Sequence, residues 1–438
     1  MTMRHLLLNV TTLILSFALL LAGNSLQFVV LGVRAGIEGF SIHAMGMITA
    51  AYFLGFAFGS LRCLDLIRSI GHIRTFAALA SMISGVVLAH PLWPEPIAWI
   101  FFRFVIGFCF AGLYPVVESW LNAQAGNEFR GRILSIYAVA VFGGFAIGPM
   151  LAILGTAEGF FLFVLASMIV SFALVPVTMT RAAAPVTPEA TERDRFTLRR
   201  FYKETPLGMI GILCVGSAQG AFVGLSPVFV QRAGLTAEDA SFFLTAALLA
   251  GLICQFPVGW LSDRFDRRLV IAIAALVGGA GCAAFAAWTL SAPLTKELAL
   301  LGALIVGAAI FPLYAIVIAY TNDWLDEDSI VSAAAALILT YSLGSAVASP
   351  LASFLMSQIG AGGLIAFIAA AMIALGLFAV ARMFKREAPD SDYEGNMATY
   401  AASPGTLPID PLLAEYETEE TEAAVSDVAQ DPEGAPAS

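Results

Sequence analysis

Apolar residues run along this chain for about twenty positions at a time without alternating with polar ones, and short polar stretches separate the runs. They fall at 7–31, 43–66, 73–91, 97–121, 133–154, 159–179, 207–230, 239–262, 269–290, 297–321, 330–354 and 361–383. A hydrocarbon core of about 30 Å takes roughly 20 helical residues to cross. Continuous runs predict helices, because the strands of a membrane barrel would alternate apolar and polar positions. The expected fold is an all-α membrane protein of twelve transmembrane helices. The first run is too long for the apolar core of a signal peptide and leads directly into the second, so it is expected to be an uncleaved first helix.

Composition agrees. Of 438 residues 59% are hydrophobic and only 12% charged, where soluble domains carry about a quarter. Thirteen acids and no base follow Arg386; setting them aside moves the formal net charge from −10 to +3. The acidity therefore belongs to a tail, 387–438, rich in Pro, Ala, Ser and Thr. Such a segment lacks the apolar surface to offset its ordering entropy and predicts a disordered cytoplasmic tail. Nothing in the charge balance points to nucleic acid. The partners expected are a small-molecule solute, membrane lipid and protons as coupling ion, with the chain a monomer. The five cysteines lie in or beside apolar runs without metal-ligand spacing and read as small hydrophobes; no metal and no cofactor is expected.

Loop charges give an orientation. Eighteen of the 22 basic residues fall on the face shared by both chain ends; Arg34, Arg232 and Lys296 fall on the other, and Arg103 lies within a span. The positive-inside rule places both termini in the cytoplasm of a cell (inner) membrane protein.

The chain also repeats itself near 200 residues. Arg34-Ala35-Gly36 returns as Arg232-Ala233-Gly234, Gly59 as Gly259, Tyr114 as Tyr314, and Gly148-Pro149 as Ser349-Pro350. Six helices per repeat make the halves parallel, related by a pseudo-two-fold along the membrane normal. The domains expected are 1–179 and 207–386, two six-helix bundles, joined by a basic cytoplasmic linker, 180–206, with room for a short surface helix. Two such halves around one axis can rock, which alternating access requires.

After the eighth span stands Gly259-Trp260-Leu261-Ser262-Asp263-Arg264-Phe265-Asp266-Arg267-Arg268. It resembles the Gly-x-Leu-x-Asp-Arg-x-x-Arg-Arg signature of the major facilitator superfamily, in the short loop where that family carries it. Asp263 can cap the positive end of a neighbouring helix. The arginines can pair with acids across the interface between halves and bias a gate, or they only set topology. The first half holds a degraded copy, Gly59, Asp65 and Arg74, with altered spacing. Arg103-x-x-x-Gly107 is similar to the family motif of the fourth helix. An intramembrane arginine costs several kcal/mol unless paired or watered. It reads either as an anion-binding or proton-tuning group or as a structural one bonded to backbone carbonyls of the first helix. Gly144-x-x-x-Gly148-Pro149 is similar to the antiporter motif and leans to export; close packing is the other reading. The string Glu118-Ser119-Trp120-Leu121-Asn122 with Arg130-Gly131 resembles the YcaD-like bacterial branch, over residues 5–385.

The resemblance implies that the first, fourth, seventh and tenth helices line a cavity. Asn24, Gln27, Gln219 and Tyr314 follow as solute contacts, joined by Tyr52, Arg103 and Tyr137 from the polar residues of the spans. Each could instead make a helix–helix hydrogen bond of about 1 kcal/mol. With almost no acid among them, the solute should be neutral, amphipathic or anionic rather than dicationic. Glu118 sits too far along its helix to pair with Arg103, and reads as a gating ion pair with Arg130 or Arg132, or as a coupling carboxylate. The expected function is proton-coupled export of a small organic solute by a rocker switch. Uniport or import, and a transport-inactive sensor or scaffold, are the alternatives. A membrane enzyme has no supporting nucleophile, metal cluster or phosphate loop, and no Gly-x-x-x-x-Gly-Lys string supports an ATP-driven pump.

Overall fold

The computed structural model describes residues 3–124, 130–179, 197–325 and 327–385. The tail and most of the linker lie outside them. In chain order the helices are α1 (Met3–Ile37), α2 (Ile42–Ile70), α3 (His72–Leu92), α4 (Pro96–Gln124), α5 (Arg130–Leu151), α6 (Phe161–Met179), α7 (Leu198–Glu204), α8 (Pro206–Arg232), α9 (Ala237–Arg264), α10 (Arg267–Ser291), α11 (Lys296–Asn322), α12 (Glu327–Ile359) and α13 (Gly363–Met383). Twelve of these, all but α7, are long and apolar enough to cross a membrane. They match the twelve expected spans, and large apolar side chains such as Phe101, Ile253, Phe256 and Val277 point outward where lipid would lie.

Short polar turns set the helix ends. Ser41 accepts from the backbone N–H of Ala44 to open α2, and Thr236 forms a capping box with Asp239 at α9. Such caps satisfy backbone donors that a helix start leaves over. Gly234, at φ 84°, turns the chain after α8 in a region that other residues enter at a cost. In the linker, α7 is no free surface helix: Phe201 is fully buried, and the helix packs on α8 and α12.

The two halves pack by one pattern. In the first, α1 lies against α5 and α6, α2 against α4, and α3 against α4 and α6. With α7 set aside, the second repeats it: α8 with α12 and α13, α9 with α11, and α10 with α11 and α13. The matched arginines act alike. Arg34 donates to the carbonyl of Ala157 at 3.0 Å, and Arg232 donates to that of Met356 at 3.4 Å. Each ties the end of its half's first helix to the same place in its own half.

The halves meet mainly through α2 with α12, and through the mate of that pair, α5 with α9; α1 and α8 also touch. These contacts are tight on the face away from the chain ends. Gln231 donates to the carbonyl of Val33 at 3.3 Å, and Thr245 to that of Ala146 at 3.2 Å. Gly224 lies so close to α2 that a Cβ there would stand 2.0 Å from Thr49 Cγ2.

Candidate functional site

Between the halves, at mid-depth, is a cavity of about 90 Å³. Rings dominate its wall: Phe28, Tyr52, Phe53, Phe56, Tyr114, Phe142 and Phe145 from the first half, and Phe311, Tyr314 and Tyr341 from the second. Gln219 and Gln255 complete the polar part, and no charged side chain lines it. The rings brace each other edge-on: Tyr314 and Tyr341 at 5.5 Å between centroids, Phe28 and Tyr52 at 5.2 Å, Phe56 and Tyr114 at 5.9 Å. Phe53 meets Tyr341 across the halves at 6.4 Å. Edge-to-face pairs hold rings in fixed orientation.

Gln219 is clamped. Its amide nitrogen donates to the carbonyl of Ile310 at 2.9 Å, and its oxygen accepts from the Tyr341 hydroxyl at 3.1 Å. A fixed amide with a fixed phenol offers a guest directed polar contact in an otherwise apolar wall. Sequence reasoning missed Tyr341, since the family pattern draws attention to other helices, and it missed the phenylalanines.

Of the seven expected solute contacts, Tyr52, Gln219 and Tyr314 line the cavity; Asn24, Gln27, Arg103 and Tyr137 do not. Tyr137 is stacked on Phe17 at 5.7 Å and donates to Glu118 at 3.0 Å. It stands beside the cavity and holds a buried carboxylate. Arg103 is 1% exposed, with its guanidinium carbon 4.3 Å from the ring centres of both Phe28 and Tyr52. Its Nη1 and Nη2 find no acceptor in the protein, so the expected bonds to backbone carbonyls of α1 are not made. What places it there is Gly107, one turn on: a Cβ at Gly107 would stand 1.9 Å from the Tyr52 carbonyl oxygen. The missing side chain lets α4 close on α2 and lays Arg103 along the Tyr52 ring. Asn24 donates to the Tyr52 hydroxyl at 3.0 Å, while its own Oδ1 has no donor.

The loop after α9 differs from expectation in detail. Asp266, not Asp263, caps α10, accepting from the Arg268 backbone N–H at 2.9 Å. Burial raises the Asp266 carboxyl, but the hydrogen bonds from Arg268 outweigh it and hold it below the usual range. Arg268 also grips both carboxylate oxygens of Asp266, Oδ1 at 3.1 Å from Nε and Oδ2 at 2.7 Å from Nη2. Asp263 is half exposed and only 3.9 Å from Arg267, whose closer partner is Asp323 at 3.1 Å. These pairs lie within the second half rather than across the interface. Burial pushes the Asp323 carboxyl up to about 6, against the pull of Arg267 and with a push from Asp263. Arg264 lies on the ring of Trp260 at 3.9 Å, beside Gly259. In the first half Asp65 and Arg74 are exposed, and Asp65 is 3.8 Å from Arg68. The side chain of Arg130 lies outside the described residues. Gly144 and Gly148 seat α5 on the backbone of Ala18 and Ala22, which is the close-packing role.

The profile of the Major Facilitator Superfamily matches residues 13–250 and 233–415. The chain belongs to that superfamily. It is 28% identical over 319 residues to an uncharacterized MFS-type transporter, YcaD, of Escherichia fergusonii, covering 72% of this chain and 80% of the relative. It is 27% identical over 319 residues to YcaD of Salmonella enteritidis PT4, with the same coverage, 72% and 80%. Among solved structures, the nucleoside transporter NupG superposes with a TM-score of 0.72 at 13% identity, covering 87% of this chain and 100% of that one. The D-xylose-proton symporter superposes with a TM-score of 0.68 at 15% identity, covering 84% and 96%. The protein is a multi-pass membrane protein with the superfamily's two-halved fold.

Proposed function

We propose that the chain carries a small organic solute through the central cavity by alternating access, as an exporter driven by protons. The halves 1–179 and 207–386 are the moving bodies, and the membrane is the inner one, with both termini cytoplasmic. The observation that carries this reading is the ring-lined cavity at mid-depth between two equivalently packed halves, closed tightly towards one face. The distribution of basic residues supports the orientation. Glu118, buried under the Tyr137 hydroxyl, supports coupling, since a carboxylate at that depth can take up and release a proton as its surroundings change. The basic loop 259–268 then acts at the cytoplasmic mouth.

The test is a thermal-shift screen of the purified chain against small organic solutes, followed by counterflow of each stabilising solute in liposomes. Saturable counterflow that Gln219→Leu weakens about tenfold is the expected result, the amide being worth one buried polar contact. Glu118→Gln should keep counterflow and lose acceleration by a pH gradient. If no stabilising solute moves, the carrier reading fails; if Glu118→Gln still responds to the gradient, the proton site is elsewhere.

A further inference from the structure

A buried guanidinium normally has a carboxylate or several carbonyls around it, because an uncompensated charge in a low-dielectric interior is expensive. Arg103 has neither. Among the described residues no carboxylate pairs with it, and both terminal nitrogens lack an acceptor. Of the other side chains of this half with unmet hydrogen-bonding groups, three are uncharged and lie on α1 and α3. They are Asn24 through Oδ1, Gln27 through both amide atoms, and His90 through Nε2, all at most 2% exposed. Gln27 follows Asn24 by one turn on the same face of α1. The protein leaves one fixed positive charge and these polar atoms, most of them acceptors, unanswered, and the rings of Phe28 and Tyr52, 4.3 Å from the guanidinium carbon, also line the cavity.

We propose, building on the carrier reading, that the solute is a monovalent organic acid with a flat apolar body. The ring-lined cavity takes the body, and Arg103 takes the carboxylate once the Tyr52 ring turns aside. Two facts weigh against the opposite charge. Aromatic boxes attract cations through ring faces, but here two of those faces are already against Arg103. And no acid lines the cavity to offset a positive guest. A planar guanidinium with two unused N–H edges suits a carboxylate's two oxygens. Asn24, freed from the Tyr52 hydroxyl, gains an amide donor to add to them.

The experiment uses the full purified chain and three probes sharing one body: 3-phenylpropanoate, 3-phenylpropanamide and 3-phenylpropylamine. Nitrate serves as a bodiless anion. The expected order of affinity by thermal shift is acid, then amide, then amine. Arg103→Gln should weaken the acid about 10- to 100-fold, the loss of a charge-assisted pair, and change the amide less than about threefold. Arg103→Lys should keep the preference for acid over amide at lower affinity. Without ligand, Arg103→Gln should melt no lower than the parent, since it removes an unanswered charge. Acid binding no tighter than amide, or untouched by Arg103→Gln, overturns the assignment. So does a lower unliganded melting temperature with acid binding intact, which makes Arg103 structural. Stabilisation by nitrate equal to that by the acid also overturns it, because the site would then take small ions and not the solute. These failures leave the carrier reading standing, which falls only if no solute moves in liposomes.

Discussion

At an offset of 200 residues α11 repeats the Gly107 of α4 as Gly307 and its Tyr114 as Tyr314, yet it has Ala303 where α4 has Arg103. Both glycines do the same work: a Cβ at Gly307 would stand 2.0 Å from the Ala247 carbonyl oxygen, as one at Gly107 would meet that of Tyr52. Only the first half spends the close approach on laying a charge against a ring. At the other end of the second half, Asp323 yields a pH prediction. Its folded carboxyl titrates near 6, above the ordinary aspartate value of about 3.9. The folded state therefore holds this proton more tightly than the unfolded one. The stability so gained is present below about pH 4 and is lost as pH rises through 6. Asp323→Asn, which mimics the protonated form, should melt like the parent near pH 4.5 and higher than it at pH 7.5. A parent advantage that grows above pH 6 would show that pairing with Arg267 outweighs burial. Arg103 was legible in the sequence because it is the one basic residue deep in a span. The cavity's phenylalanines were not, because 33 Phe serve lipid, core and cavity alike and hydropathy does not tell these apart.

Among the helices, α2 ties its own half to the other through two helices. It packs on α4 within its half and on α12 and α8 across the interface, and it carries three of the cavity's rings. Its contact with α8 at Gly224 is a closure that a side chain would wedge. Gly224→Leu should keep each half folded but hold the halves apart on that face, at the 1–3 kcal/mol or so typical of overpacking. A cysteine placed at Ser226, a position 1% exposed, should then react with a water-soluble maleimide in the Gly224→Leu background and stay protected without it. Equal protection in both would mean that the face does not open. Gly107→Leu should act differently: it clashes inside one half and should lower the melting temperature itself. Helix positions were legible to within a few residues because apolar runs and their caps are local signals. Which residue caps was not: Asp263 carries the family motif, but Asp266 sits three residues nearer α10 and takes the job.

For the whole molecule, the parallel repeat foretold two like halves, and Arg34 and Arg232 show how one tripeptide does one task twice. The face on which the halves close was beyond the sequence, since it depends on contacts such as Thr245 with Ala146 that no pattern in either helix announces. The lone arginine has a consequence for energetics of another kind. A fixed cation deep in the bilayer lies within the membrane potential, where a full charge crossing the field is worth about 2.3 kcal/mol per 100 mV. On the proposed reading, the acid's charge offsets that of Arg103 on the loaded leg, while without solute the field acts on Arg103 and on whatever charge Glu118 carries. The proposed cycle is therefore expected to respond to voltage most strongly on the leg that runs without solute. Transient currents on a solid-supported membrane should appear without solute, shrink as the acid saturates the site, and change in size in Arg103→Gln.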